Sequence, residues 1–412
     1  MTPFFLFLQF VCFYGLGIYV ILKKGELSIF YLPALFFVEK IVGTLSPAFL
    51  YYGLISFIVL LLVVKNASLF RNNIFSFLLI VYFFALLTQA ENLTLIRPFF
   101  FSVIWLFLLI AVIPSIYAKY SREEIFKELC NACFLILILF IANALVSTVY
   151  KFSPMGMYGI TKGIMYGNLW AAAFNTLSTA LFVVFLKGVT ERRHMYVILT
   201  VVSMFFIMLT LRRTVMALSA FGIVVGMLTL MTQKKAKMVF VMMSLIVLTG
   251  YIIYTNTDFM QEFNERVELR KLDDRALAEE KRFIEYDLLY NDMFVYNAYS
   301  PWFGFGLFNS AGNYGNGFLG DRSLHGDIPN LLHSSGLIGV LLYLLMIGTA
   351  FAQAIKASKQ YIDKLIILFC SGSFLVYTVT GRYTEIASTL LLFLVLMIPL
   401  AKDEPPAEET EV

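Results

Sequence analysis

Long apolar runs recur along almost the whole chain of 412 residues, and they constrain the fold more than any other feature. A helix needs about 20 apolar residues to cross the hydrocarbon core of a bilayer, and most of these runs approach that length. The sequence delimits thirteen such runs: 3–22, 27–43, 46–64, 73–89, 98–117, 129–149, 167–187, 194–210, 214–231, 237–254, 329–354, 362–380 and 384–401. The run 27–43 is short and contains Glu39 and Lys40, so we predict twelve or thirteen spans.

The composition leads to the same class of protein. Hydrophobic residues make up 60% of the chain, charged residues only 14%, and the mean hydropathy is +0.82. Soluble domains carry about 25% charged residues, so a soluble enzyme, a nucleic-acid-binding domain and a disordered chain are excluded. Unpaired backbone groups cannot face hydrocarbon, and the spans are therefore expected to be helical. The predicted fold is an all-α polytopic membrane protein.

Lysine and arginine predict the orientation of the spans. Seventeen of the 31 basic residues fall in alternate loops between the runs, which places these loops in the cytoplasm. The chain then divides into an N-terminal transmembrane bundle (1–254), an outer insert (255–328), C-terminal transmembrane helices (329–401) and a disordered cytoplasmic tail (402–412). Thirteen spans put the N-terminus outside, whereas one non-spanning early run puts it inside.

The outer insert is predicted to fold rather than to form a simple loop. It contains thirteen acids and seven bases, which gives a net charge near −6. Residues 260–296 lack glycine and proline, so they are expected to form one or two helices over the membrane surface. Beyond Pro301 the insert is rich in glycine and aromatic residues, which suit either sugar stacking or anchoring at the membrane interface.

Few residues in the sequence suggest chemistry, and they are concentrated on the outer side. Arg97, Arg212 and Arg213 sit at outer helix ends, where they form either an anion site or snorkelling contacts. His325 and His333 flank the start of the next span, and either is a candidate general base or a structural histidine. Cys130 and Cys133 form an isolated CxxC pair, expected to be packed thiols. No metal-binding motif is present, so we predict no metal and no cofactor.

Three segments together resemble the bacterial O-antigen ligase and O-antigen polymerase superfamily. The first is Thr210-Leu211-Arg212-Arg213-Thr214, which is similar to the family's Thr-x-Ser-Arg segment. The second is Arg282-Phe283-Ile284-Glu285-Tyr286 followed by Pro301-Trp302-Phe303-Gly304-Phe305-Gly306. The third runs from His325-Gly326-Asp327 to Gly336-Leu337-Ile338-Gly339, and the spacing from Gly336 matches the family histidine to His325. The resemblance covers about 210–340.

The resemblance implies an inner-membrane glycosyltransferase with its active site facing the periplasm. Such proteins move a glycan from an undecaprenyl-diphosphate carrier onto an acceptor hydroxyl, without a metal and with inversion. Arg213, Arg282 and Arg212 would bind the diphosphate, because guanidinium pairs well with phosphate oxygens. His325 would take the acceptor proton. Further candidates are Arg97, Asp327, His333 and Arg275, the last as a rival of Arg282.

Several functions stay open from the sequence. A ligase for lipopolysaccharide biosynthesis would use the lipid A core as acceptor, and it is the reading that we favour. A polymerase of O-antigen or exopolysaccharide would use another lipid-linked repeat unit. A transporter or flippase for the lipid-linked glycan would require ionisable residues near mid-membrane, where this sequence has few. Membrane lipid is an expected partner in every case, and nucleic acid is not.

Overall fold

The computed structural model describes residues 10–42, 47–90, 92–150, 173–232, 281–381 and 383–403, with scattered positions elsewhere. Within these ranges the chain is helical and forms no strand, as predicted. The helices of nine or more residues are α1 (Gly15–Lys23), α2 (Leu32–Val42), α3 (Ala48–Lys65), α4 (Ile74–Leu86), α5 (Leu93–Tyr117), α6 (Arg122–Val149), α7 (Asn175–Thr190), α8 (His194–Leu209), α9 (Arg213–Thr232), α10 (Lys281–Tyr290), α11 (Asp327–Ala357), α12 (Tyr361–Thr380) and α13 (Ile386–Leu396).

In the described part of the chain, six helices are long and apolar enough to cross a membrane, as in a polytopic membrane protein. They are α3, α5, α6, α9, α11 and α12. Five shorter apolar helices accompany them: Phe10–Lys23, Ile74–Gln89, Asn175–Thr190, His194–Leu209 and Ile386–Leu396. Most of the predicted run 237–254 lies outside the described residues, so the total of twelve or thirteen spans stays a prediction.

The doubtful run 27–43 folds as two kinds of helix joined end to end. A 3-10 helix (Gly25–Tyr31) leads directly into α2. The α form rises about 1.5 Å per residue, so the 11 residues of α2 extend only about 17 Å, which is too short to span the hydrocarbon core.

Helices α7 and α13 form the centre of the bundle. Every residue from Asn175 to Val189 is buried, and so is every residue of α13. Helices α6, α8, α9 and α13 pack against α7, and α13 also packs against α2, α5 and α12. The outward faces of the peripheral helices carry exposed apolar side chains, including Phe49, Val64, Leu22 and Leu375. A surface of this kind is stable in lipid and not in water.

Charged side chains link the loops at one end of the bundle, which we call the basic end. Lys24 Nζ donates to Glu128 at 2.8 Å, and Lys119 Nζ donates to Glu26 at 2.7 Å. Arg122 pairs with the buried Asp363, which also belongs to the capping box at the start of α12. These residues come from loops that the charge pattern assigned to a single side.

Candidate functional site

The opposite end of the bundle, which we call the histidine end, is built where the second and third sequence motifs interlock. The backbone N–H of Leu337 donates to the Pro301 carbonyl at 2.8 Å, and that of Phe305 donates to the His333 carbonyl at 2.7 Å. Gly336 interrupts α11 with φ 63° and ψ −168°. A Cβ on Gly336 would overlap the Trp302 carbonyl, so only glycine fits there.

His325 lies just before α11 and rests on the connection between the last two helices. Gly381 has φ 70°, and a Cβ on it would overlap the His325 carbonyl. Asp327, in the first turn of α11, is buried and accepts a hydrogen bond from the Tyr383 backbone N–H at 3.0 Å. The loop before α11 and the loop after α12 therefore form one packed unit.

The side chain of His325 is 44% exposed, and a buried carboxylate lies behind it. Glu285, on α10, has no exposed surface and accepts the His325 backbone N–H at 3.0 Å. Its Oε1 lies 3.4 Å from His325 Nδ1 and 2.9 Å from the Arg322 guanidinium nitrogen that donates to it. Arg322 Nε also donates to His325 Nδ1 at 3.1 Å. Glu285, Arg322 and His325 thus form one cluster.

His333 occupies a different environment from His325. It is fully buried among the rings of Tyr299, Phe305 and Tyr314, and its Nε2 lies 3.0 Å from the Asn313 carbonyl. The stacked Phe305 ring lies 5.2 Å from it, centroid to centroid. A substrate cannot reach this ring without opening the aromatic packing, so of the two histidines only His325 is accessible.

The predicted arginines lie at the ends of several helices. Arg213 begins α9 and is exposed, whereas Arg212 is half-buried with its Cζ 5.9 Å from the Phe174 ring. Arg97 is exposed, and its Cζ lies 5.7 Å from the ring of Tyr52 on α3. Position 282 lies in the first turn of α10, one turn before Glu285. Arg275 lies outside the described residues.

The packing of α9 on α12 sets the height of Arg213 along the bundle. The two helices are antiparallel: Gly222 lies against Phe369, and Gly372 lies against Phe221. Arg213 is nine residues before Gly222, about 13 Å along the axis. By this register it is level with the last turn of α12, just before the Gly381 connection that contacts His325. No contact joins Arg213 to His325 within the described part of the chain.

Glu285 and Arg322 were not predicted as site residues. One signal was available for Glu285, because it falls on the buried side of α10 beside Leu289, where a lone carboxylate would be costly. Such a position predicts a cationic partner, but it does not say which one. Nothing in the sequence indicated a buried role for Arg322. It is one of seven bases in an acidic insert, where an arginine is usually solvated.

Among the residues that the structure describes, no three His, Cys, Asp or Glu side chains are grouped so that they could hold a metal ion. A cavity of about 440 Å³ lies at the basic end, lined by Arg122, Phe126, Thr190 and Ile366 among others, and therefore not beside His325. Neither a protein-family model nor a curated protein matches this chain.

Proposed function

We propose that the protein is a membrane glycosyltransferase that moves a glycan from undecaprenyl diphosphate to an acceptor hydroxyl, in the manner of an O-antigen ligase. The observation that carries the proposal is His325, an accessible imidazole backed by a buried carboxylate at the end of the helical bundle remote from the basic loops. An imidazole held in this way suits the removal of a proton from an incoming hydroxyl. The resemblance of the three sequence motifs supplies the substrate class.

The proposed reaction is a direct displacement at the anomeric carbon. The acceptor oxygen bonds to that carbon as its bond to the diphosphate oxygen breaks, and the leaving diphosphate keeps the electron pair. His325 takes the proton that the acceptor hydroxyl loses. Arg213, with Arg212 and Arg282, would stabilise the negative charge on the diphosphate, and one such donor contributes roughly 3 kcal/mol in a site shielded from water.

The charge distribution supports an outward-facing site in the inner membrane. Lys24, Lys119, Arg122 and Lys359 lie at the basic end, which the positive-inside rule assigns to the cytoplasm. The histidine end would then face the periplasm. Nucleotide sugars are absent there, so a donor must arrive already activated on lipid, which agrees with a diphosphate leaving group.

The deciding experiment uses the purified full-length protein in lipid nanodiscs with an undecaprenyl-diphosphate-linked glycan. The lipid A core and a second lipid-linked repeat unit are offered as separate acceptors. We expect transfer to the lipid A core, release of undecaprenyl diphosphate, and loss of both in His325→Ala. Transfer only to the repeat unit would make the protein a polymerase. Movement of the intact donor across a proteoliposome membrane, with no bond change, would make it a flippase.

A further inference from the structure

The two groups that contact His325 Nδ1 require different proton positions on the ring. A neutral imidazole has one nitrogen that donates and one that accepts. Arg322 Nε donates to Nδ1 at 3.1 Å, which leaves the ring proton on Nε2. Glu285 Oε1, 3.4 Å from Nδ1, can only accept, so it favours the proton on Nδ1. Both contacts cannot be made by one neutral ring at the same time.

The choice between these forms decides whether His325 can act as a base. With the proton on Nε2, that nitrogen donates, and Nδ1 is occupied by Arg322, so neither nitrogen can accept a proton from a hydroxyl. With the proton on Nδ1 and bonded to Glu285, Nε2 keeps a lone pair that can accept a proton. Arg322 is therefore placed to hold the ring in its inactive form, and Glu285 is placed to hold the active one.

We infer that Glu285 is a positioning residue for His325, and that the diphosphate of the donor controls it by drawing Arg322 away from Nδ1. This inference rests on the proposed function. The Arg322 side chain is 23% exposed, so it can turn outward to an anion, whereas Glu285 is fully buried and stays behind the ring. Arginine pairs strongly with phosphate oxygens, which makes a diphosphate a suitable competitor for it.

Glu285 and Arg322 are the two groups described in contact with Nδ1, so their competition controls the position of the ring proton. Glu285 and Tyr286 come from α10, Arg322 from the loop before His325, and Asp327 from the start of α11. Asp327 accepts the Tyr383 backbone N–H at 3.0 Å, which ties it to the connection between α12 and α13. Arg322 would thus bind the diphosphate and leave His325 Nδ1 only when a donor is present.

The first test reads the ring proton directly. The chain has three histidines, so ¹⁵N-histidine NMR of the full-length protein in nanodiscs is simple, and His325→Gln assigns the signal. We expect the Nε2-protonated form without ligand and the Nδ1-protonated form when pyrophosphate is added. Arg322→Lys, which keeps the charge and lacks Nε, should show the Nδ1-protonated form without pyrophosphate. The same form in the wild type and in Arg322→Lys, with and without pyrophosphate, would overturn the inference.

The second test uses the transfer assay. Glu285→Gln should lower kcat about 100-fold and leave the KM for the donor within about twofold, because the ring is misplaced and the diphosphate contacts remain. Asp287→Asn, an exposed acid on the same helix, is the matched control and should behave as wild type. A KM effect as large as the kcat effect, with a proton position unchanged from wild type, would show that Glu285 only supports the fold.

The two tests separate this inference from the proposed function. If pyrophosphate moves the ring proton in the wild type but no glycan is transferred, the coupling between Arg322 and His325 is supported and the proposed transferase activity is refuted. If the wild type transfers glycan while His325 keeps one proton position, the transferase activity is supported and the coupling is refuted.

Discussion

Glu285 has no exposed surface, and burial disfavours the ionised form of its carboxyl. The contacts with the side chain and backbone N–H of His325, together with the Arg322 charge, outweigh the burial, so the pKa of Glu285 lies below its ordinary value of 4.5. A carboxyl of this kind is ionised throughout the neutral range. Glu285 therefore keeps a negative charge behind His325 throughout the neutral pH range.

This lowered pKa predicts a pH dependence of stability. The ion pair contributes fully above about pH 4.5, and its contribution is lost as the pH falls through the lower folded value. The melting temperature of the wild type should exceed that of Glu285→Gln by a constant amount between pH 5 and 8, and the gap should close below pH 4.5. Thermal unfolding in detergent across this range measures it. A gap that stays constant down to pH 3 would contradict the assignment of the charge.

Arg213 is the arginine that we expect to contribute most to diphosphate binding. Arg213→Ala should lower kcat/KM for the lipid-linked donor by about 100-fold, because one guanidinium no longer stabilises the leaving group. Arg213→Lys should restore only part of the rate, since an ammonium lacks the planar fork. Arg193→Ala is the control, because Arg193 is exposed near the basic end, paired with Glu191. Equal losses in the two alanine variants would argue against a role at the site.

At the scale of elements, Gly336 joins the Pro301 turn to α11. Its backbone conformation is almost restricted to glycine, and the Trp302 carbonyl occupies the space of a Cβ. Gly336→Ala should reduce stability by about 3 kcal/mol and lower the melting temperature by several degrees. Gly348→Ala, on the same helix with open space around it, should leave both unchanged. Equal melting temperatures for the two variants would contradict the packing of Gly336 against the Trp302 carbonyl.

The sequence predicted elements far better than it predicted contacts. Apolar length is a local property, so the runs 98–117, 214–231 and 362–380 match α5, α9 and α12 closely. The 3-10 helix at Gly25–Tyr31 was not predicted, because its residues are equally compatible with an α-helix. The pairing of Glu285 with His325 joins positions 40 residues apart through the fold, and no local pattern encodes such a pair.

At the scale of the whole molecule, the two ends of the bundle should face opposite sides of the membrane. Ser323→Cys lies at the histidine end and Lys356→Cys at the basic end, and both positions are exposed. In a background without Cys12, Cys130, Cys133 and Cys370, a membrane-impermeant maleimide should label Ser323→Cys in intact spheroplasts. Lys356→Cys should react only after the cells are broken. Labelling of both in intact spheroplasts would contradict the predicted orientation.

The contact between Gly381 and the His325 carbonyl also bears on how the protein is made. The ribosome releases His325 well before it releases the residue that supports it. Nascent chains that end before Gly381 would already have most helices in the bilayer. The loop that carries His325 would still lack its contact with Gly381. The loop that carries His325 therefore gains its support only when α12 and α13 have both entered the membrane, and truncation before Gly381 is expected to yield an inserted product without the proposed activity.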